Sequence, residues 1–150
     1  MKAVVRELKE LAEQYRISVF WEKIPKYENK IAYCDSPFYI TMDVSLKNSR
    51  AEALCVFFHE LGHVKCYRTG LWKTYHNHEP YSTNNKNILR KLVYTSLKAE
   101  RWVDNFAAKE LAKYDRRIKY DFPYSKVDTI IHFENSFIRP AKIKILKNKK

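Results

Sequence analysis

The chain has 150 residues, a size at which one domain buries a core without disulfide or metal staples. It is 45% hydrophobic, 31% charged and 15% aromatic, with only two glycines and five prolines, which excludes a collagenous, low-complexity or disordered chain. The net charge of +12 is lopsided: residues 1–60 hold nine basic and nine acidic side chains, residues 61–150 twenty and eight. Such a field attracts phosphates, acidic membranes or acidic proteins and carries no information about fold.

Val4, Val5, Leu8, Leu11 and Ala12 recur at helical spacing, so residues 3–15 are expected to form an amphipathic helix. Three short strand candidates follow: Ile17 to Trp21, Ile31 to Cys34, and Tyr39 to Val44. The last alternates, with Ile40, Met42 and Val44 on one side and Tyr39, Thr41 and Asp43 on the other. Ser49, with Glu52 three residues on, reads as a capping box opening a helix that carries Leu54, Phe57, Phe58 and Leu61 and stops near Gly70. Residues 71–85 are polar and turn-rich, hence a loop, and a long helix is expected from Asn87 to Tyr114. Beyond it come a short helix near Val127 to Phe133 and a basic tail, about residues 139–150. The chain reads as a single α+β domain, 1–150, without repeats or a linker.

No apolar run behind the N-terminal charges resembles a signal peptide, and the longest, Ala53 to Phe58, is far too short to span a membrane. Cys34, Cys55 and Cys66 form no CxxC pair and are expected to be reduced thiols of a cytoplasmic protein. Cys66 follows a histidine pair, but no second thiol lies near it at ligand spacing.

The chemistry-bearing segment is His59-Glu60-Leu61-Gly62-His63, an HExxH pattern. Two histidines four apart share a helix face about 6 Å apart along the axis, so both imidazoles reach a single Zn²⁺. Glu60 stands beside that ion, placed to take a proton from a zinc-activated water and pass it to a leaving amine. With five histidines and eleven glutamates in the chain, chance yields the pattern with a probability of roughly 0.01. The blander reading is a pair of histidines on a solvated helix face. Gly62 weighs against it: a mid-helix glycine costs about 1 kcal/mol relative to alanine, so a close-packing reason is expected.

A catalytic zinc takes three protein ligands and keeps one position open. The extended pattern HExxHxxGxxH is excluded, because Cys66 and Thr69 stand where glycine and histidine are needed. His76 and His78 lie in the following loop. On the next helix Glu100 and Asp104 interrupt an apolar stripe formed by Val93, Leu97, Ala107 and Leu111, while Lys91, Lys98, Arg101, Asn105 and Lys109 occupy the opposite face. A buried carboxylate needs a partner. Glu100 is therefore the preferred third ligand, and Asp104 is placed to accept the N–H of a ligating histidine. The alternative is that this face is half buried and both acids are solvated or paired with Lys or Arg.

With HELGH followed by Glu100-Arg101-Trp102-Val103-Asp104-Asn105-Phe106-Ala107-Ala108, the chain resembles the ImmA/IrrE-type zinc metallopeptidases, whose second motif looks like ExxA(D/N)xFA. The ExxxD spacing is also that of the wider gluzincins. The likeness covers about residues 4–112. It departs from the family pattern at Val103, where alanine is usual, in the missing apolar-Met-Pro ending, and in a longer loop between the motifs. The resemblance implies a zincin-like metalloprotease fold: a small antiparallel or mixed sheet, and an HExxH helix packed against a second ligand-bearing helix. It implies one catalytic Zn²⁺ on His59, His63 and Glu100, with Glu60 as general base. It further implies a protein substrate such as a DNA-binding repressor of a mobile element or phage, carried on a separate chain because no helix-turn-helix is evident here.

Candidates for an oxyanion donor are Tyr67, Tyr75, Tyr81, Tyr94 and His132. Tyr39 to Val44 would pair with an extended substrate if it forms a sheet edge. One rival is a SprT-like protease acting on DNA-bound proteins, with His78 as third ligand. Another is a non-catalytic zincin-shaped binding module, for which an intact Glu60 would be superfluous. The basic half allows weak nucleic-acid contact, although the tail lacks interleaved aromatics and alternating lysines also protect a sheet edge. No membrane partner is expected.

Overall fold

A computed structural model describes residues 2–28, 30–34, 36–70 and 86–121, with side chains of the last stretch from Lys98 onward. The architecture there is mixed α+β, with three α-helices and a three-stranded mixed sheet. No described helix is long and apolar enough to cross a membrane. The expected loop at 71–85, the helix near 127–133 and the basic tail lie outside the described residues.

Helix α1 (Ala3–Gln14) buries Val4, Leu8, Leu11 and Ala12, the stripe its periodicity predicts. It ends at Arg16, whose φ of 58° is left-handed and turns the chain into β1 (Ser18–Glu22). The carbonyls of Tyr15 and Arg16 both accept from the Arg68 guanidinium, at 2.6 and 3.0 Å, which ties this turn to the end of the central helix. Strands β2 (Ala32–Tyr33) and β3 (Tyr39–Asp43) complete the sheet, β3 running parallel to β1 and antiparallel to β2.

The strand order β1-β3-β2 corrects one expectation: β3 is the central strand, paired on both sides, and is no edge for a substrate. Its alternation is also incomplete. Ile40 and Met42 enter the core, in register with Val19 and Trp21, yet Thr41 is buried too, lying between Phe20 and Tyr33 of its neighbours. Val44 leaves the strand altogether and starts a 3₁₀ turn, Val44–Asn48. Asp43 caps that turn by accepting from Ser45 N–H, and its other carboxylate oxygen accepts from Ile24 N–H at 2.8 Å.

Helix α2 (Arg50–Thr69) runs through the core, and α3 (Lys86–Tyr114) packs along it. Ser49 caps α2 by accepting from Glu52 N–H at 3.3 Å. The expected capping box is only half made, because Ser49 N–H donates to Leu46 of the preceding 3₁₀ turn. Gly70, at φ 77°, ends the helix in the left-handed cap that glycine favours.

Candidate metal centre

Every residue of α2 from Ala53 to Gly62 is buried, so this stretch of the helix is enclosed on all sides and not amphipathic. His59 and Glu60 therefore sit in the core, at 4% and 5% exposure. Gly62 has the close-packing role its cost implied. A Cβ there would meet Val103 Cγ1 at 2.9 Å and Val103 Cα at 3.2 Å, so the missing side chain lets α3 approach α2 beside the two histidines. That approach brings Glu100 and Asp104, one turn apart on α3, onto the HExxH face.

The resulting contacts are specific. His59 Nε2 lies 3.2 Å from Glu100 Oε2, and His63 Nε2 lies 3.4 Å from Glu100 Oε1. The imidazole rings meet edge to face, with centroids 5.1 Å apart. One ligand atom from each of His59, His63 and Glu100 lies within 4.8 Å of the others. Ligand atoms held tetrahedrally at about 2.0–2.1 Å from an ion stand about 3.4 Å apart, so the observed separations suit a shared divalent metal. The set is two neutral-capable nitrogens and one carboxylate, the donor chemistry of a zinc site with an open position. The side chains of His63 and Glu100 keep 15% and 28% of their exposure against 5% for His59, so solvent reaches the centre from their side.

Behind His59 lies a second layer. Its Nδ1 is 3.0 Å from Asp104 Oδ1, the contact expected from the spacing on α3. Tyr120, in the segment after α3, donates its hydroxyl to the same Oδ1 at 2.6 Å, and its oxygen lies 3.0 Å from His59 Nδ1. A carboxylate oxygen only accepts, so Nδ1 carries a hydrogen toward Asp104; by the same argument Nε2 donates to Glu100 here, and that proton would give way to an ion held between them. Sequence reasoning missed Tyr120. It is one of eleven tyrosines, and nothing in its spacing from the motifs marks it.

The electrostatics follow from burial and pairing. For His59, burial disfavours the charged form, but hydrogen bonds to Asp104 and Glu100 outweigh it and hold its pKa above the ordinary histidine value. His63 is also raised, because the charge and hydrogen bond of Glu100 outweigh burial. Glu100 stands well below the usual carboxylate range: burial pushes it up, and the two histidines more than reverse this. Glu60 differs. Burial raises it, the histidine charges only partly compensate, and no hydrogen bond from a described residue reaches its carboxylate. A carboxylate held in the core beside two imidazoles, its pKa raised by burial, is placed to work as a base.

Of the other candidates, Cys66 is buried on α2. Burial, then the Glu100 charge, pushes its thiol up to about 11, and it is not among the groups that converge. Tyr67 lies half-buried on α2 one turn past His63. Tyr75, His76, His78, Tyr81 and His132, and the side chain of Tyr94, lie outside the described residues. Comparison of the chain with protein-family models, with curated proteins and with solved structures returned no match.

Proposed function

We propose that this chain is a zinc-dependent metallopeptidase with a zincin-like fold, in which His59, His63 and Glu100 hold one ion and Glu60 is the general base. The observation that carries the reading is the convergence of His59 Nε2 and His63 Nε2 on the two oxygens of Glu100, with buried Glu60 bonded to none of them. A divalent ion at that point would supply Lewis acidity and a water acidic enough to ionise near neutral pH.

The protein's own groups do the rest. Glu100 and Asp104 keep both histidines oriented, Asp104 fixing the tautomer that turns the His59 Nε2 lone pair toward the site. Glu60 accepts the proton of the attacking water and returns it to the leaving nitrogen, and its burial favours the protonated form that donates. An extended substrate would add to β2, an edge strand among the described residues and packed against α2. Lys30, just before β2, is close enough for its charge to bear on Glu60. The substrate we propose is an acidic or DNA-bound protein, such as a repressor, drawn by the twelve excess positive charges of residues 61–150.

Metal analysis of the purified chain tests this. One zinc per chain is expected, retained in Glu60→Gln and lost in Glu100→Ala. Co-expression with candidate repressors should show a cleaved partner that Glu60→Gln leaves intact, with a rate loss of about 10²-fold or more. Zinc bound at full occupancy in Glu100→Ala would overturn the ligand set, and unchanged cleavage by Glu60→Gln would overturn the mechanism.

A further inference from the structure

We infer that Tyr120 is a positioning residue of the metal centre, acting on His59 through Asp104; this rests on the metal reading above. Two contacts meet at one carboxylate oxygen, and a third closes the triangle beside it. Asp104 Oδ1 accepts from Tyr120 at 2.6 Å and from His59 Nδ1 at 3.0 Å, and the tyrosine oxygen is itself 3.0 Å from Nδ1. An O–H donor at that distance from a carboxylate makes a short, charge-assisted bond, among the stronger kinds. It pins the carboxylate about its last torsion, so that the oxygen facing His59 stays there. The ring plane and tautomer of His59, and hence the aim of its Nε2 at Glu100, follow from the position of that oxygen.

The backbone around Tyr120 is itself held. Lys119 O accepts from the Cys55 thiol at 3.7 Å, one turn before His59 on α2. At the start of the segment Asp115 pairs with Arg50, the first residue of the same helix. The segment following α3 thus lies along the back of the HExxH helix and ends with its hydroxyl on the ligand layer. The segment fixes His59 from its Nδ1 side, opposite the Nε2 that faces Glu100.

The test uses the full chain and Zn²⁺ alone, competed against a chelating dye. Tyr120→Phe keeps the ring and removes only the hydroxyl, and it is expected to weaken zinc binding about 10-fold, the lower end for partners of metal ligands. Asp104→Ala should weaken it at least as much, and Tyr120→Phe added to Asp104→Ala should change nothing further, because the relay is already cut. The thermal midpoint of the chelator-treated protein separates packing from positioning, and it should stay within about 2 °C of wild type in Tyr120→Phe. The Co²⁺-substituted spectrum of that variant should shift. Wild-type affinity in Tyr120→Phe overturns the inference, as does an equal loss in the Asp104→Ala background. A loss matched by a drop in metal-free stability overturns it too. A wild-type chain that binds no zinc overturns the metal reading itself, an outcome distinct from the others.

Discussion

Gly62 shows how a single missing side chain sets the site. In an ordinary helix interior, Gly→Ala adds about 1 kcal/mol of helix preference. Here the new Cβ would stand 2.9 Å from Val103 Cγ1 and 3.3 Å from Val103 Cβ, in a place enclosed by α2 and α3. Overpacking of that kind costs about 1–3 kcal/mol. Gly62→Ala is therefore expected to be destabilising by up to about 2 kcal/mol in denaturant titration, and to weaken zinc binding by prising Glu100 from the histidines. Placing it in a Val103→Ala background removes the tightest contact, so the cost should shrink there. Equal costs in both backgrounds would show that Val103 is not what the glycine accommodates. Glu100 was legible as a candidate because a carboxylate on an apolar stripe demands a partner. Tyr120 was not, because its place depends on how the chain folds back after α3.

Among the elements, the three described helices were read from sequence to within one or two residues, since their signals are local: Ser49 at a cap, Gly70 at a left-handed stop, apolar periodicity between. The sheet was read less well. Strand positions follow from composition, but order depends on non-local pairing, and β3 became central because β2 folds back on its far side. The staple between elements was invisible for the same reason. Arg50, at the start of α2, bonds Glu7 of α1 at 2.7 and 2.8 Å and Asp115 beyond α3 at 3.1 Å. The Arg50 hydrogen bond holds the Glu7 carboxyl below its ordinary 4.5, and bonds from Arg117, then Arg50, hold Asp115 below 3.8. A depressed carboxylate contributes stability that is complete above its unfolded value and drains away as pH falls toward the folded one. Arg50→Ala should accordingly lower the thermal midpoint at neutral pH by roughly 3 °C, the pair being half exposed. The gap to wild type should narrow as pH falls from about 4.5 toward about 2, where the partners lose their charge. A gap that widens on acidification would assign the effect to packing instead.

For the molecule as a whole, the proposed ion would act as a cross-link. Two of its ligands are on α2 and the third on α3, and between them these helices enclose much of the core, from Leu54, Phe57 and Phe58 to Ala107 and Leu111. His59 and His63 also pair with Glu100 directly, so the three side chains have partners of their own when no ion bridges them, and the metal-free chain is expected to stay folded. A ligand that binds only the folded state adds RT ln(1 + [L]/Kd), about 2.7 kcal/mol at a hundredfold excess over Kd. In a chain of this length that raises the midpoint by roughly 5–10 °C. Thermal melts with zinc and with chelator should therefore differ by about that much while both remain cooperative. Glu100→Ala should abolish most of the difference, whereas Glu60→Gln should preserve it. The charge asymmetry sharpens the same experiment, because the neutral residues 1–60 supply His59 and Glu60 and the basic residues 61–150 supply His63 and Glu100. Bulk positive charge repels a cation, and added salt screens that repulsion, so zinc affinity is expected to rise modestly with ionic strength. Affinity that instead falls with salt would place the metal among exposed carboxylates and away from this centre.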